Sequence, residues 1–381
     1  MKPLESLLVI EFSQYLSGPS ATLRLADLGA RVIKVERTTG GDGNRHLSLG
    51  VELGQDSLLF ATINRNKESY AADLKNGDDL AKVKRLVSQA DVLVENFRPG
   101  VMARLGLDYA AVHNMNPQLV YGRVTGYGDL GPWRDRPGQD LLVQSLSGLA
   151  WLNGNRDQPP MPFGLAIADL MAGAHLAQGI LALLVRRGRI GRGGLVEVSL
   201  MESALDLQVE VLTTYLNDGG KPPQRAAVNN AHAYLPAPYG IYQTKDGYLA
   251  LAMGSLLQLA DLLQMPELRA WADKKMSFED RDMIKSLLAD RLRRRSTQAW
   301  LDILVPAGYW CAEVLTWEQL LATDAFQALE MVQWVNQPSG PFRTTRCPIR
   351  IDGAKLVSDI GAPSLGSHTH RIDQEFSLAV N

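Results

Sequence analysis

The sequence predicts an α/β protein built on a doubly wound parallel sheet. Three observations lead there: short apolar runs at regular intervals, amphipathic helical stretches between them, and turn residues at each junction. "SLLVIEF" (6–12) is a short apolar run with β-branched members and reads as a buried strand. "SGPSATLRLADLGA" then supplies turn residues, a proline suited to a first helical turn, and apolar spacing through Leu23, Leu25 and Leu28. "RVIKVE" (31–36) completes a strand–helix–strand unit, which requires a parallel sheet.

The alternation continues with a helix over 78–90, a strand at "DVLVENF" (91–97), a helix over 100–105 and a strand at "LVYGRVTGYG". Two helical segments follow, one from Asp140 ("DLLVQSLSGLAWL") and a longer apolar one behind Asp169. The stretch "DGGKPPQRAAVNNAHAYLPAPYG" is rich in Pro, Gly, Asn and Ala, the composition of a linker or functional loop. "GIYQTKDGYLALAMG" has the pattern of a hairpin, and charged amphipathic helices run from about 256 to 304. The expected organisation is a large unit over residues 1–225, a smaller α/β unit over 226–335, and a C-terminal segment, 336–381, that returns to the large unit.

Composition narrows the function classes. The 381 residues are 46% hydrophobic and 21% charged with a formal net charge of −2, which argues against a nucleic-acid or anionic-membrane partner. The basic clusters "RRGRIGRGG" and "RLRRRS" are short and read as solvated helix ends or small anion sites. The two cysteines, Cys311 and Cys347, are too few for a disulfide framework and lack histidines at metal-ligand spacing, so no metal site and a reducing, cytoplasmic setting are expected. The N-terminus lacks the pattern of a signal peptide. The apolar stretch 170–185 is interrupted by His175 and Gln178 and is shorter than the roughly 20 residues of a membrane span.

The opening unit, with Glu36 ending its second strand, invites a dinucleotide-binding reading. That site needs G-x-G-x-x-G so that the backbone can approach a pyrophosphate. The loop is "SQYLSGPSA", with Gly18 alone, and a nicotinamide cofactor is not expected.

Taken together, several runs resemble the family III CoA-transferases, a group that also includes the α-methylacyl-CoA racemases. They are "LLVIEFSQYLSGPSATLRLADLGARVIKVER", "GGDGNR", "NRNKES", "DVLVENFRPGVMARLGLDY", "GYGDLGPW", "PFGLAIADLMAG", "GRGGLVEVSLMESAL", "APYGIYQTKDGYLALAMG" and the tail "APSLGSHT". The resemblance implies a Rossmann-like large domain, a smaller α/β domain, and a homodimer of two chains interlocked like links. It also implies no tightly bound cofactor: coenzyme A enters as acyl-CoA, with a small carboxylate as acceptor.

Asp169 in "GLAIADLMAG" is the central residue of that resemblance. Read alone, an Asp before an apolar helix is an N-cap. The resemblance implies instead a nucleophile that carries first an acyl group and then CoA, among small apolar neighbours that exclude water. The two roles can coexist. Asp140, in "RPGQDLLVQ", matches a second acid of the family and reads equally as a helix cap. Racemases of the family resemble "GHD" at this point, whereas this chain has Gln139, which has no proton to exchange at neutral pH. Transfer is therefore expected over racemisation, and a non-catalytic CoA-binding protein is the third reading.

CoA carries a 3′-phosphate and a diphosphate, so its site should offer Arg, Lys and backbone N–H groups. Residues matching the family's CoA-contacting segments are Arg37, Lys67, Asn96, Phe97, Arg98, Arg104 and Leu105. Read singly, the basic ones are solvated charges and Phe97 is core. The acyl pocket is expected to involve Leu16, Gln139, Asn230 and His232. Leu16 stands where formyl-CoA transferases resemble one another in having Gln, and their glycine-rich loop has no counterpart, which argues against formate or oxalate as the acid.

Overall fold

The computed structural model describes residues 2–47, 50–54 and 56–378. Six strands form one all-parallel sheet: β1 Leu8–Glu11, β2 Arg31–Glu36, β3 Glu68–Ala71, β4 Val92–Glu95, β5 Val120–Thr125 and β6 Gly194–Ser199. Their order is β3-β2-β1-β4-β5-β6, so the direction of winding reverses between β1 and β4. In such sheets ligands bind outside the carboxyl ends of the strands at that reversal. β3 and β6 were not among the expected strands. β3 reads "ESYA", too short and too polar to show period-two patterning, and β6 follows directly on a long helix.

Alternation along the strands fills two cores. Val9, Val32, Val92, Val94, Val120 and Val124 face α1 (Ser17–Asp27), a long helix called α5 below (Ile167–Ile190) and α6 (Leu200–Leu207). Ile10, Ile33, Val35, Leu93 and Tyr121 face the opposite way, onto α2 (Gly77–Ser88) and α3 (Val101–Leu105). Ile372 and Leu378 join this second core. The C-terminal helix Thr369–Glu375 is fastened to β3: Tyr70 donates to Asp373 (2.7 Å) and the Ala71 N–H donates to Thr369 Oγ1 (2.9 Å).

The helix from Asp140 is shorter than its pattern suggests. α4 (Asp140–Leu146) ends before Gly148, whose φ of +83° is a left-handed turn that breaks the run. α5 has 24 residues and an 18-residue window of mean hydropathy 1.5, so by length and composition it could cross a membrane, longer than the 170–185 stretch had suggested. In this fold Ala168, Ala172, Leu176 and Ile180 of α5 pack on the sheet.

The chain divides into two compact units, Met1–Val143 with Ala166–Leu207 and Ala328–Asn381, and Gln144–Leu165 with Gln208–Gln327. These limits differ from the junctions at 225 and 335 expected from composition. Within the second unit, β7 (Gly240–Gln243), β8 (Tyr248–Leu251) and β9 (Cys311–Glu313) form an antiparallel sheet in the order β9-β8-β7. The β7–β8 pair is the predicted hairpin. Leu259, Ile284, Leu288, Trp300 and Leu304 complete its core.

Beneath the carboxyl ends of β1 and β2 lies a buried ionic cluster. Lys34 Nζ reaches Glu11 Oε1 and Asp42 Oδ2, both at 2.9 Å, and donates to the Ser13 carbonyl at 2.7 Å. Lys67 Nζ reaches Glu11 Oε2 at 2.9 Å. Burial, the largest single effect, raises Glu11, but the two ammonium groups and the Thr22 hydroxyl together outweigh it and hold the carboxyl down at about 2. Glu36, far from offering itself to a ribose, is engaged by Arg45 (2.7 Å), the Ser69 hydroxyl (2.7 Å) and the Asp42 N–H (3.0 Å). Removing one member strands the others in low dielectric. Lys34→Met should therefore cost about 3–5 kcal/mol of stability, read as a lowered urea midpoint at neutral pH; an unchanged midpoint would show the cluster to be dispensable.

Candidate active site

The loop after β1 and the loop after β4 meet where the winding reverses. Asn96 joins them: its Oδ1 accepts the Gln14 N–H (2.8 Å) and its Nδ2 donates to the Gln14 carbonyl (2.7 Å). The same amide donates to Ser17 Oγ at 3.4 Å. Gly18 is required in this loop, since a Cβ there would lie 2.3 Å from Ser13 Cβ.

The Ser17 hydroxyl lowers the proton affinity of the Asp169 carboxyl. Asp169 is the third residue of α5, half-buried, and does not cap the helix. The N-cap position is Ala166, without a side-chain cap. The capping is done from another segment: Asp140 Oδ1 accepts the N–H groups of Ala168 (2.8 Å) and Asp169 (3.3 Å). Thus the cap reading applies to Asp140, and the Asp169 carboxylate is left for other work. Two glycines set Asp140 in place. Gly126, just past β5, and Gly138 pack backbone to backbone, and a Cβ on either would come within 2.6 Å of the other's Cα. A third, Gly173, lets α5 approach α1, where a Cβ would meet the Ser17 carbonyl at 2.7 Å.

Burial raises the Asp169 carboxyl to about 6, the nearby Asp140 charge adds to the rise, and the Ser17 hydroxyl opposes it. Such a group is ionised at neutral pH but poorly solvated, a favourable state for a carboxylate nucleophile.

The expected CoA contacts separate into two sets. Arg98 and Arg104 are exposed, and Arg37 is exposed with two N–H groups on the Gly41 carbonyl (3.2 and 3.0 Å). Phe97 packs edge-on to Phe12, and Leu105 is partly buried against the second core. Lys67 is a correction. Its ammonium is fully enclosed and its donors go to Glu11, the Pro19 carbonyl and Asn64, so it is a core cation and not a phosphate contact. Gln139 is exposed and Leu16 half-buried at the start of α1. Asn230 and His232 belong to the second unit, where Asn230 Oδ1 accepts the Ala226 N–H (2.9 Å) and His232 Nδ1 accepts the Tyr234 N–H (3.1 Å).

Sequence reasoning missed Ser17 and Glu95. The first is hidden because the serine of a turn reads as turn chemistry. Glu95, at the end of β4, is buried and pushed up to about 7 by that burial. It borders a cavity of about 200 Å³ lined also by Phe97, Arg98, Met102, Arg123 and Arg134. A Ser203–His175–Asp206 arrangement has the residue types of a hydrolytic triad, but Nδ1 faces the serine (3.0 Å) and Nε2 the acid (3.2 Å), and Ser203 is buried. That geometry ties α6 to α5. Among the described residues no group of three or more His, Cys, Asp or Glu could hold a metal ion.

The parallel sheet of this order, with a half-buried carboxylate near its reversal, is that of an α/β protein with a candidate site at the carboxyl edge of its sheet. The chain belongs to the CoA-transferase family III, whose model matches residues 4–369. It is 35% identical to the acetyl-CoA:oxalate CoA-transferase of Acetobacter aceti, covering 98% of this chain and 96% of that one. It is 32% identical to the succinyl-CoA:glutarate CoA-transferase of Mus musculus, over 98% and 86% of the two chains. A crystal structure of a CaiB/BaiF family protein from Brucella suis superposes with a TM-score of 0.85 at 31% identity, over 98% and 99%. The protein is a transferase whose substrates are CoA thioesters.

The raised Asp169 value has a stability consequence. Between about pH 4 and 6 the folded state binds more protons than the unfolded one, so stability falls as pH rises through that window. Asp169→Asn should gain about 1–3 kcal/mol over the parent at pH 8, and the gain should vanish below pH 4. Denaturant titrations at the two pH values check it.

Proposed function

We propose that the protein moves CoA between two carboxylic acids with Asp169 as the covalent carrier. The observation that supports this most is the Asp169 carboxylate itself: held at the start of α5, uncoupled from capping by Asp140, and raised by burial to about 6. One carboxylate oxygen attacks the thioester carbonyl of the donor. The C–S bond breaks and CoA leaves as thiolate, giving a mixed anhydride between the donor acid and Asp169. The thiolate then attacks the Asp169 carboxyl carbon, the anhydride C–O bond breaks, and the donor acid departs as carboxylate. The acceptor carboxylate reverses both steps, and Asp169 is regenerated with the thioester conserved. Water would hydrolyse either intermediate, which is why Ala166, Ile167, Ala168 and Ala172 around the acid matter.

Arg37, Arg98 and Arg104 supply charge for the CoA phosphates, with Asn96, Phe97 and Leu105 shaping the loop that carries them. Gln139, in place of a histidine, argues against proton transfer at the carbon next to the thioester. Acids of the kind named for the relatives, acetate and succinate as donors and a dicarboxylate as acceptor, are the first substrates to try. Oxalate returns to that panel through its relative, although Leu16 had argued against it. Leu16 and Gln139 are proposed to contact the acyl group. The site is proposed to work in a homodimer of interlocked chains in the cytoplasm. Leu170, Val185 and Ile190 of α5 are exposed apolar residues that a second copy would cover.

Two measurements test this reading. Incubation with acetyl-CoA or succinyl-CoA followed by hydroxylamine should place a hydroxamate on the peptide containing Asp169, and label elsewhere or nowhere across a broad donor panel counts against the mechanism. Light scattering after size exclusion should give twice the chain mass; a monomer that still transfers CoA would dismiss the dimer.

A further inference from the structure

Strand β4 ends on a buried carboxyl group that pairs with no cation. Glu95 stands two places after Leu93, so its side chain lies on the sheet face away from α5. It is 3% exposed. Arg123 is its register partner on β5, yet that guanidinium turns to Asp129 and to Glu197 of β6. Among the described residues Glu95 makes no ion pair and one hydrogen bond: Oε2 accepts the Phe97 N–H at 2.9 Å. A carboxyl group buried without a paired charge is unfavourable, and an apolar side chain would fill the same place at less cost.

That one bond shapes the turn that follows. Among the described residues the Phe97 N–H has no backbone acceptor, and the carboxyl oxygen two residues back takes that place. The turn closed in this way sends three side chains in set directions. Asn96 reaches the loop after β1 and holds the Gln14 backbone by two bonds (2.8 and 2.7 Å). The Phe97 ring packs edge-on against Phe12, with ring centroids 6.5 Å apart. Arg98 is exposed and lines the same cavity as Glu95, and its guanidinium pairs with no other described residue.

We propose that Glu95 is the positioning residue of the CoA-binding turn: by accepting the Phe97 N–H it holds residues 96–98 in the shape that presents them to the CoA thioester. The inference rests on the reading that Asn96, Phe97 and Arg98 serve CoA binding. Glu95 acts through the turn and not on the substrate, so its loss weakens binding and spares turnover of the bound thioester. Glutamine at this position keeps an acceptor oxygen and therefore the turn. Leucine keeps most of the volume and removes the acceptor.

The test compares Glu95→Leu with Glu95→Gln, titrating CoA by calorimetry and using acetyl-CoA or succinyl-CoA as donor in assays. We expect Glu95→Leu to raise Kd for CoA and KM for the donor about tenfold or more, the effect of one lost hydrogen bond to a charged group. Its kcat should stay within about threefold, and its urea midpoint should equal or exceed the parent's, because no carboxyl group remains to be buried. Glu95→Gln should bind CoA within about threefold of the parent. Hydrogen exchange of a peptide spanning 96–98 should quicken in the leucine variant and not in the glutamine one. A Kd within twofold of the parent for Glu95→Leu, or a tenfold weakening in Glu95→Gln, overturns the proposal. Weakened binding joined to an equal loss of kcat and a lowered midpoint marks a merely structural role and also overturns it. If the leucine variant does not fold, Glu95→Ala is judged by the same limits on Kd. Arg98→Ala separates the two readings. If it binds CoA as the parent does, the reading of the turn as a CoA contact fails; if it weakens binding tenfold while Glu95→Leu does not, the role of Glu95 alone fails.

Discussion

The geometry at the sheet's carboxyl edge depends on a buried set of charges, Glu11 with Lys34, Lys67 and Asp42. Each of these side chains is almost fully removed from water. Their desolvation is unfavourable, and only close mutual approach, with the remaining donors met by the Ser13 and Pro19 carbonyls, offsets it. Both of those carbonyls belong to the loop after β1 and the first turn of α1. The Thr22 hydroxyl of α1 also reaches Glu11, at 2.7 Å. A cluster of this kind contributes little net stability against an apolar equivalent. It ties β1, β2, α1 and the first loop into one arrangement.

The carboxylate at the centre of the site faces two opposing demands. It must be ionised to act and must also be kept from water. Burial and the Asp140 charge raise its proton affinity, and the Ser17 hydroxyl limits the rise. Asp140 has a double effect, capping α5 favourably while repelling the acid next to it. Such an arrangement places a local cost at the functional site, and the packed sheet on either side of it sustains that cost.

How much of this was legible can be judged residue by residue. The βαβ opening, the strands at 92–95 and 120–125 and the hairpin at 240–251 follow from local periodicity. Asp169 was legible through its matching motif, and Gln139 through the residue it lacks. Lys67 was misplaced because a lysine in a matched motif looks the same whether its ammonium faces solvent or a buried glutamate. Asp140 was correctly suspected as a cap, but of its own helix rather than of α5. Ser17 carried no signal, since serine before Gly-Pro is ordinary turn chemistry.

The sequence by itself determined the parallel sheet and the two faces of apolar residues that bury it, because strand alternation and helix spacing are local properties, and its motifs carried the resemblance that implied the chemistry. Only the tertiary structure decided which acid caps α5, which lysine is core and which amide holds the first loop. These outcomes depend on pairs far apart in the chain, 28 residues for Asp140 and Ala168 and 79 for Ser17 and Asn96. Ser17 and Asn96 meet because the sheet order brings the ends of β1 and β4 together, and that order is settled by packing.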